Sequence, residues 1–161
     1  MKKLILLLLV LFVISGCRSK KHLGEEYPFH RGFEFVSWGA PVSAVDSAIA
    51  KDSIWKKISN VDNSDTGGKI VVVRDTSREY YLEFDRKGRF FMMNYISESG
   101  DVDTVRNRLK RYYGEPEELQ KENANYREQF WKIEADSVHL EIQMLITQRQ
   151  YALRVINKKI Q

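Results

Sequence analysis

The chain has 161 residues, with 26 Lys and Arg against 22 Asp and Glu, a formal net charge of +4 and one cysteine. Its 43% apolar and 12% aromatic residues exclude an intrinsically disordered chain, because they can bury enough surface to offset the loss of chain entropy. A single cysteine excludes an intrachain disulfide and a cysteine-rich metal site. The length favours one domain.

The first residues have the layout of a secretory signal peptide. Lys2 and Lys3 precede an apolar run over residues 4–14, and small residues follow it. Such a run rises only about 16 Å as a helix, roughly half of a hydrocarbon core, so a transmembrane span is disfavoured. A basic start, a short apolar run and small residues before a cleavage site are instead typical of a signal peptide.

Residues 14–17, Ile-Ser-Gly-Cys, resemble the lipobox of bacterial lipoproteins. The resemblance implies cleavage between Gly16 and Cys17 and acylation of Cys17, so that residues 1–16 are the signal peptide and residues 17–31 the lipidated tether. Two or three acyl chains would hold the protein on a membrane, whereas a single chain anchors only marginally. The alternative is an ordinary signal peptide that ends near a lone cysteine.

The residues after Cys17 bear on localisation. Position 18 is Arg rather than Asp, which in the enterobacterial lipoproteins that this segment resembles would not retain the protein in the inner membrane. For a Gram-negative host we therefore expect an outer-membrane anchor. We expect the domain on the periplasmic side, because Arg18, Lys20 and Lys21 do not resemble the acidic export signals of the Bacteroidetes. These basic residues either contact anionic head groups or belong to a solvated tether.

Residues 32–161 are predicted to form a single α+β domain, which begins with a strand and a helix. Alternation over residues 32–37 predicts a lead-in strand, and apolar residues at helical spacing predict a helix over residues 41–51. The apolar face of that helix consists of Val42, Val45 and Ile49. After an irregular stretch at residues 60–68, three strands are predicted at residues 70–73, 80–84 and 89–96, the last two joined by a turn at residues 85–88.

The second half of the domain has a similar order. A second helix is predicted from Asp101 as N-cap to Gly114, with Pro116 just after its end. Its apolar face consists of Val102, Val105 and Leu109. A polar connection over residues 115–125 leads to three more predicted strands, at residues 130–134, 138–146 and 151–156.

The predicted order is α-β-β-β-α-β-β-β. Helices segregated to one face of an antiparallel sheet form an α+β two-layer sandwich. The order also suggests a tandem repeat with copies at residues 32–97 and 98–161. The alternative is a coincidence of two short helices that each precede hairpins.

The domain has Trp38-Gly39 before the first helix, a turn with Gly88, residues 113–116 at the end of the second helix, and Trp131 in a later strand. In these features it is similar to many small bacterial envelope lipoproteins. The domain resembles more loosely the β-lactamase-inhibitor-protein-like superfamily, which includes the small SmpA/OmlA-type lipoprotein of the outer-membrane protein assembly machine. The resemblance implies a protein-binding or assembly module and not an enzyme. It carries over no binding-site residue and no particular partner.

The residues point to no common catalytic chemistry. No hydrolase, nucleotide or dinucleotide motif occurs, and the three histidines have no metal-ligand spacing. His139 and Glu141 share the polar side of a predicted strand, where they either form a small site or belong to a solvated face. We expect no cofactor, no metal and no enzyme activity; the alternative function is a small-molecule-binding or hydrolytic envelope domain. A purely structural spacer is a third hypothesis.

The predicted strand at residues 89–96 is largely apolar on both faces. A sheet covered by helices on one face only does not require this, so the second face is either covered by the lead-in segment at residues 32–37 or presents an apolar patch to a partner. We expect an envelope protein as that partner. The candidate binding face is Tyr81, Phe90, Lys132, His139, Glu141 and Arg154, a mixture of residue types found at interfaces. The alternative is that the aromatic residues complete a core.

Nucleic acid is not expected as a partner. The basic residues of the second helix are predicted to face solvent beside acidic ones, and export past the inner membrane separates the domain from nucleic acid. Removal of residues 1–16 takes away Lys2 and Lys3 and no acidic residue, which lowers the formal charge from +4 to +2.

Overall fold

The protein folds as an antiparallel sheet with helices, in a computed structural model that describes residues 27–119 and 125–160. The helices are α1 (Val42–Ile49) and α2 (Val102–Tyr113), and a short 3₁₀ turn at Ser99–Asp101 leads into α2. The strands are β1 (Gly32–Phe33), β2 (Val36–Ser37), β3 (Lys56–Asn63), β4 (Gly68–Arg74), β5 (Glu79–Phe84), β6 (Phe90–Glu98), β7 (Glu117–Leu119), β8 (Arg127–Glu134), β9 (His139–Ile146) and β10 (Gln150–Asn157).

Eight of these strands form one sheet in the order β3-β4-β5-β6-β10-β9-β8-β7. All neighbours are antiparallel, and β6 and β10 lie together at the centre. The strands β3 and β7 therefore form the two edges. This arrangement confirms the predicted α+β class with an antiparallel sheet.

Both helices pack on the same side of the sheet. Val45 in α1 and Leu109 in α2 are buried in one apolar cluster with alternate residues of β4, β5, β6, β8, β9 and β10. The end of α2 follows the sequence prediction: Gly114 has a φ of 86°, a conformation that glycine adopts without steric cost. Its start is also as predicted, with Asp101 at the N-cap position, although the Asp101 side chain makes no capping hydrogen bond and pairs instead with Arg78.

Three predicted segments differ from the structure. The lead-in strand is a small hairpin in which β1 pairs only with β2, because Glu34 turns the chain with a φ of 41°. The stretch predicted as irregular at residues 60–68 contains the second half of β3 and the first residue of β4, and the predicted connection at residues 115–125 contains β7. Both missed strands are largely polar and exposed, and each lies at a sheet edge. Among the described residues, four strands therefore follow each helix, instead of the three predicted.

A bulge between β5 and β6 decides which side of the sheet each apolar residue of β6 occupies. Phe84 pairs with Phe90 but Glu83 pairs with Met92, so Phe91 is an additional residue. The prediction of Phe90 on the helix-free face is wrong, because this residue is fully buried on the helix side and stacks on Trp38. Phe91 and Met92 form a second cluster with Ile156 and Ile160. The bulge thus explains why both parities of β6 are apolar.

Candidate binding face on the helix-free side of the sheet

The open face is the side of the sheet opposite α1 and α2. Strand alternation and pairing arrange its side chains in two rows that run across the strands. The first row is Val72, Tyr81, Asn94, Arg154, Gln143 and Phe130. The second row is Ile70, Glu83, Met92, Ile156, Glu141 and Lys132.

A polar network lies at the centre of the open face. The amide of Asn94 donates to Oε1 of Glu83 at 3.3 Å, and the amide of Asn63 donates to Oε2 at 3.4 Å. Burial raises the pKa of the Glu83 carboxyl above its usual value, although the charge of Arg154 and the two amides oppose this shift. The guanidinium of Arg154 also contacts the sulfur of Met92, with Nε 2.9 Å from Sδ. The network places a half-buried carboxylate and an exposed cation at the centre of the sheet.

The other half of the face carries further charged contacts. The Gln143 amide donates to Oε1 of Glu128 at 2.6 Å, and Nζ of Lys158 lies 3.5 Å from Oε2 of Glu141. The Lys132 ammonium lies 5.2 Å from the centre of the Phe130 ring, within the range of a cation–π contact. Charges of both signs therefore lie beside an aromatic ring on adjacent strands.

Apolar side chains on this face are exposed to solvent. Ile96 is 59% exposed, Val61 51% and Leu119 40%, and their pairing partners place all three on the open face. Ile96 lies on a central strand, whereas Val61 and Leu119 lie on the two edge strands. Exposed apolar and aromatic side chains are enriched at the core of protein–protein interfaces, and charges at their rim. The open face can therefore bury apolar area against a partner and orient it by charge.

The structure brings five of the six predicted face residues onto the open face. Tyr81 and Arg154 lie in the first row and Lys132 and Glu141 in the second, where the last two pair with each other. His139 lies one residue pair further along β9, opposite Glu134. Phe90 lies on the other side. Sequence reasoning missed Glu83, Asn94 and Gln143, which strand alternation could have assigned to the same face as Tyr81.

A second polar cluster lies on the helix side, next to a cavity of about 190 Å³ bordered by α2, β5, β6 and the segment before β1. The Tyr80 hydroxyl donates to Oδ2 of Asp75 at 3.0 Å, and the hydroxyls of Tyr95 and Tyr151 lie 3.3 Å apart. Burial raises the pKa of Tyr80 to about 12 and the pKa of Tyr95 still further. One pair joins β5 to the turn before it and the other joins β6 to β10, so these hydroxyls have partners within the sheet and its turn.

The predicted lipidation site and cleavage site, Cys17 and Gly16, lie outside the described residues. Within residues 27–119 and 125–160, no group of three or more His, Cys, Asp or Glu is placed to hold a metal ion. None of the helices in that part of the chain is long and apolar enough to span a membrane. Comparisons with protein-family models, with curated proteins and with solved structures found no match. Function is therefore inferred from the residues and their geometry.

Proposed function

We propose that the protein is a membrane-anchored envelope lipoprotein that binds another envelope protein through the open face. In this proposal Cys17 carries the lipid, the outer membrane holds the anchor, and the domain lies in the periplasm as a binding or assembly module. The observation that carries the proposal is the combination of exposed aliphatic side chains with charges of both signs on the helix-free side of the sheet.

The anchor is supported by the sequence of residues 1–18. The basic start and the short apolar run have the layout of a signal peptide, the Ile-Ser-Gly-Cys sequence resembles a lipobox, and residue 18 is not Asp. We infer from this pattern that processing removes residues 1–16. The tether then begins at Cys17.

The binding role is supported by the contrast between the two sides of the sheet. The helix side has an apolar core, which includes the fully buried residues Phe90 and Leu153. The open face retains Ile96 on β6 and Val61 on β3 at more than half exposure, on a surface that no described helix covers, with β4 and β5 between these two strands. Exposed aliphatic side chains on an uncovered sheet face, together with its aromatic rings and charges, support an interaction surface.

We further propose that the domain is a tandem repeat. Each copy has one helix and four strands: α1 with β3 to β6, and α2 with β7 to β10. The last strands of the two copies, β6 and β10, pair antiparallel, which is the arrangement expected if a twofold axis relates the copies. Val45 and Leu109 are the buried residues of the two helices. This order is compatible with the resemblance to the β-lactamase-inhibitor-protein-like superfamily.

The anchor is tested by membrane fractionation of the wild type and of Cys17→Ala. We expect the wild type in the membrane fraction and the variant in the soluble periplasmic fraction, since the acyl chains need the thiol. The mass of the N-terminal peptide gives a second measurement, because acylation adds the mass of the lipid. An unmodified peptide, or a variant that still fractionates with the membrane, would contradict the lipoprotein assignment.

The face is tested by affinity capture with full-length, detergent-solubilised protein. The variants Tyr81→Ala and Lys132→Glu should remain folded, because both side chains are at least partly exposed. We expect them to lose an envelope protein that the wild type captures. Lys87→Glu is the matched control for Lys132→Glu, since it reverses an exposed charge in the turn between β5 and β6. If the face variants capture the same protein as the control, the binding site lies elsewhere.

A further inference from the structure

The described chain begins in contact with the C-terminal part of α2. The ring of Tyr27 lies 5.3 Å from Tyr112 and 5.8 Å from Tyr113, measured between ring centres. The hydroxyl of Tyr113 donates to the carbonyl of Pro28, and the indole of Trp38 donates to the carbonyl of Phe29 at 2.7 Å. The tether therefore joins the domain on the helix side, opposite the open face.

The exposed side of α2 is basic. The helix contains four basic residues and one acidic residue, and two of the basic residues are paired: Arg106 with Asp103 at 2.6 Å, and Lys110 with Glu115 at 2.6 Å. Arg108 and Arg111 are exposed and have no acidic partner among the described residues. They border a shallow depression with Thr104, Asn107 and Tyr112. These two exposed arginines thus lie beside Tyr112, the ring on which Tyr27 packs.

The tether keeps the basic side of α2 near Cys17, the proposed point of lipid attachment. Nine residues separate Cys17 from Tyr27, and ten peptide steps extend to at most about 35 Å. A short linker converts surface binding into an intramolecular event at an effective concentration of the order of millimolar, so a weak attraction is sufficient. Arg18, Lys20 and Lys21 place additional positive charge next to the anchor.

We propose that the exposed side of α2 around Arg108 and Arg111 lies on the anionic phospholipid surface of the membrane that holds the anchor. Negative head groups complement the two exposed guanidinium groups, and Tyr112 supplies an aromatic ring with a polar hydroxyl at the level of the head groups. The open face lies on the opposite side of the sheet and is then directed away from the membrane. This inference rests on the proposed lipid anchor at Cys17.

The orientation is tested with full-length lipidated protein in vesicles. The chain has one cysteine, which the lipid would occupy, so Asn107→Cys or Ile96→Cys introduces one free thiol for a fluorescent donor. Energy transfer is measured to an acceptor on the head groups, in vesicles of phosphatidylcholine with or without phosphatidylglycerol. We expect more transfer from position 107 on α2 than from position 96 on the open face when phosphatidylglycerol is present. High salt should reduce that difference, because it screens the attraction.

Charge reversal on α2 tests the proposed orientation independently of the lipid anchor. In the Asn107→Cys protein, Arg108→Glu is combined with Arg111→Glu. The ratio of domains that lie on the membrane surface to domains that do not should fall by at least about 30-fold, while the protein still floats with the vesicles. Lys56→Glu with Lys87→Glu is the matched control, because it makes the same charge change at exposed positions outside α2 and should leave the transfer unchanged. Equal transfer from positions 107 and 96, or transfer that does not depend on phosphatidylglycerol, would overturn the orientation. Protein that fails to float with either kind of vesicle overturns the anchor, and with it this inference.

Discussion

Replacement of Phe90 by alanine tests whether this ring lies in the core or on the open face. In the structure Phe90 is fully buried, its ring stacks on Trp38 with centres 4.7 Å apart and an angle of 11°, and it lies 5.7 Å from the ring of Phe84. Truncation of a buried phenylalanine costs about 3–5 kcal/mol, through lost apolar burial and the cavity that remains. We therefore expect Phe90→Ala to lower the free energy of unfolding by about 4 kcal/mol, a large part of the roughly 5–15 kcal/mol of a typical domain.

Urea unfolding monitored by circular dichroism measures this loss. With a slope of about 2 kcal/mol per M, the midpoint should fall by about 2 M. Phe130→Ala is the matched control: it deletes the same atoms from a half-buried ring on the open face, and we expect less than half of the loss. Equal shifts for the two variants, or no shift for Phe90→Ala, would refute the position of the bulge at Phe91 and the assignment of faces in β6.

Three further outcomes are expected. Leu109→Ala should lower the free energy of unfolding by about 2–5 kcal/mol in the same urea assay, because it removes the buried anchor of α2; a loss below 1 kcal/mol would contradict the packing of α2 on the sheet. Burial raises the pKa of Tyr95, so the folded state favours the neutral phenol, and its contribution to stability is lost as the pH rises above the ordinary pKa of 10. Tyr95→Phe should therefore make the melting temperature fall less steeply above pH 10. An unchanged slope would count against burial of this hydroxyl. The pKa of Glu83 is raised, so its contribution to stability is present below the ordinary pKa of 4.5 and is lost at higher pH. Glu83→Gln should therefore raise the melting temperature at pH 7 relative to the wild type, with a smaller difference at pH 4. A lower melting temperature at pH 7 would show that the hydrogen bonds and Arg154 outweigh burial.

The sequence was sufficient for the helices and the buried strands, where the apolar pattern is strong. The period of Val102, Val105 and Leu109 predicted α2, and alternation predicted β5 and β9, because those strands are half-buried and each apolar residue marks the helix side. The antiparallel class followed from the same alternation. Each of these features depends on residues within a single helix or strand, whose burial follows from the side of that element on which they lie.

The edge strands and the bulge could not be predicted in the same way. Most of β3 is exposed, so its sequence has no buried face to set a period, and only pairing with β4 makes it a strand. The side of the sheet that Phe90 occupies depends on where β6 gains a residue relative to β5, a property of two strands together. The predicted side of the sheet is therefore observed for Tyr81 and Arg154, in regular pairs, and not for Phe90, next to the irregular pair.

The side chains of the open face determine which of them could contribute to the affinity for a partner. Its central polar groups already bond to one another, since Glu83 accepts from Asn94 and Asn63, and Gln143 donates to Glu128. A partner would bury these groups without leaving them unpaired, so the desolvation cost of an unsatisfied polar atom is avoided. Affinity must then come from the exposed aliphatic side chains, with charges such as Lys132 controlling orientation and the rate of association. If the open face is the interface, apolar substitutions there should change the dissociation rate, and charge reversals should change the association rate and its dependence on salt.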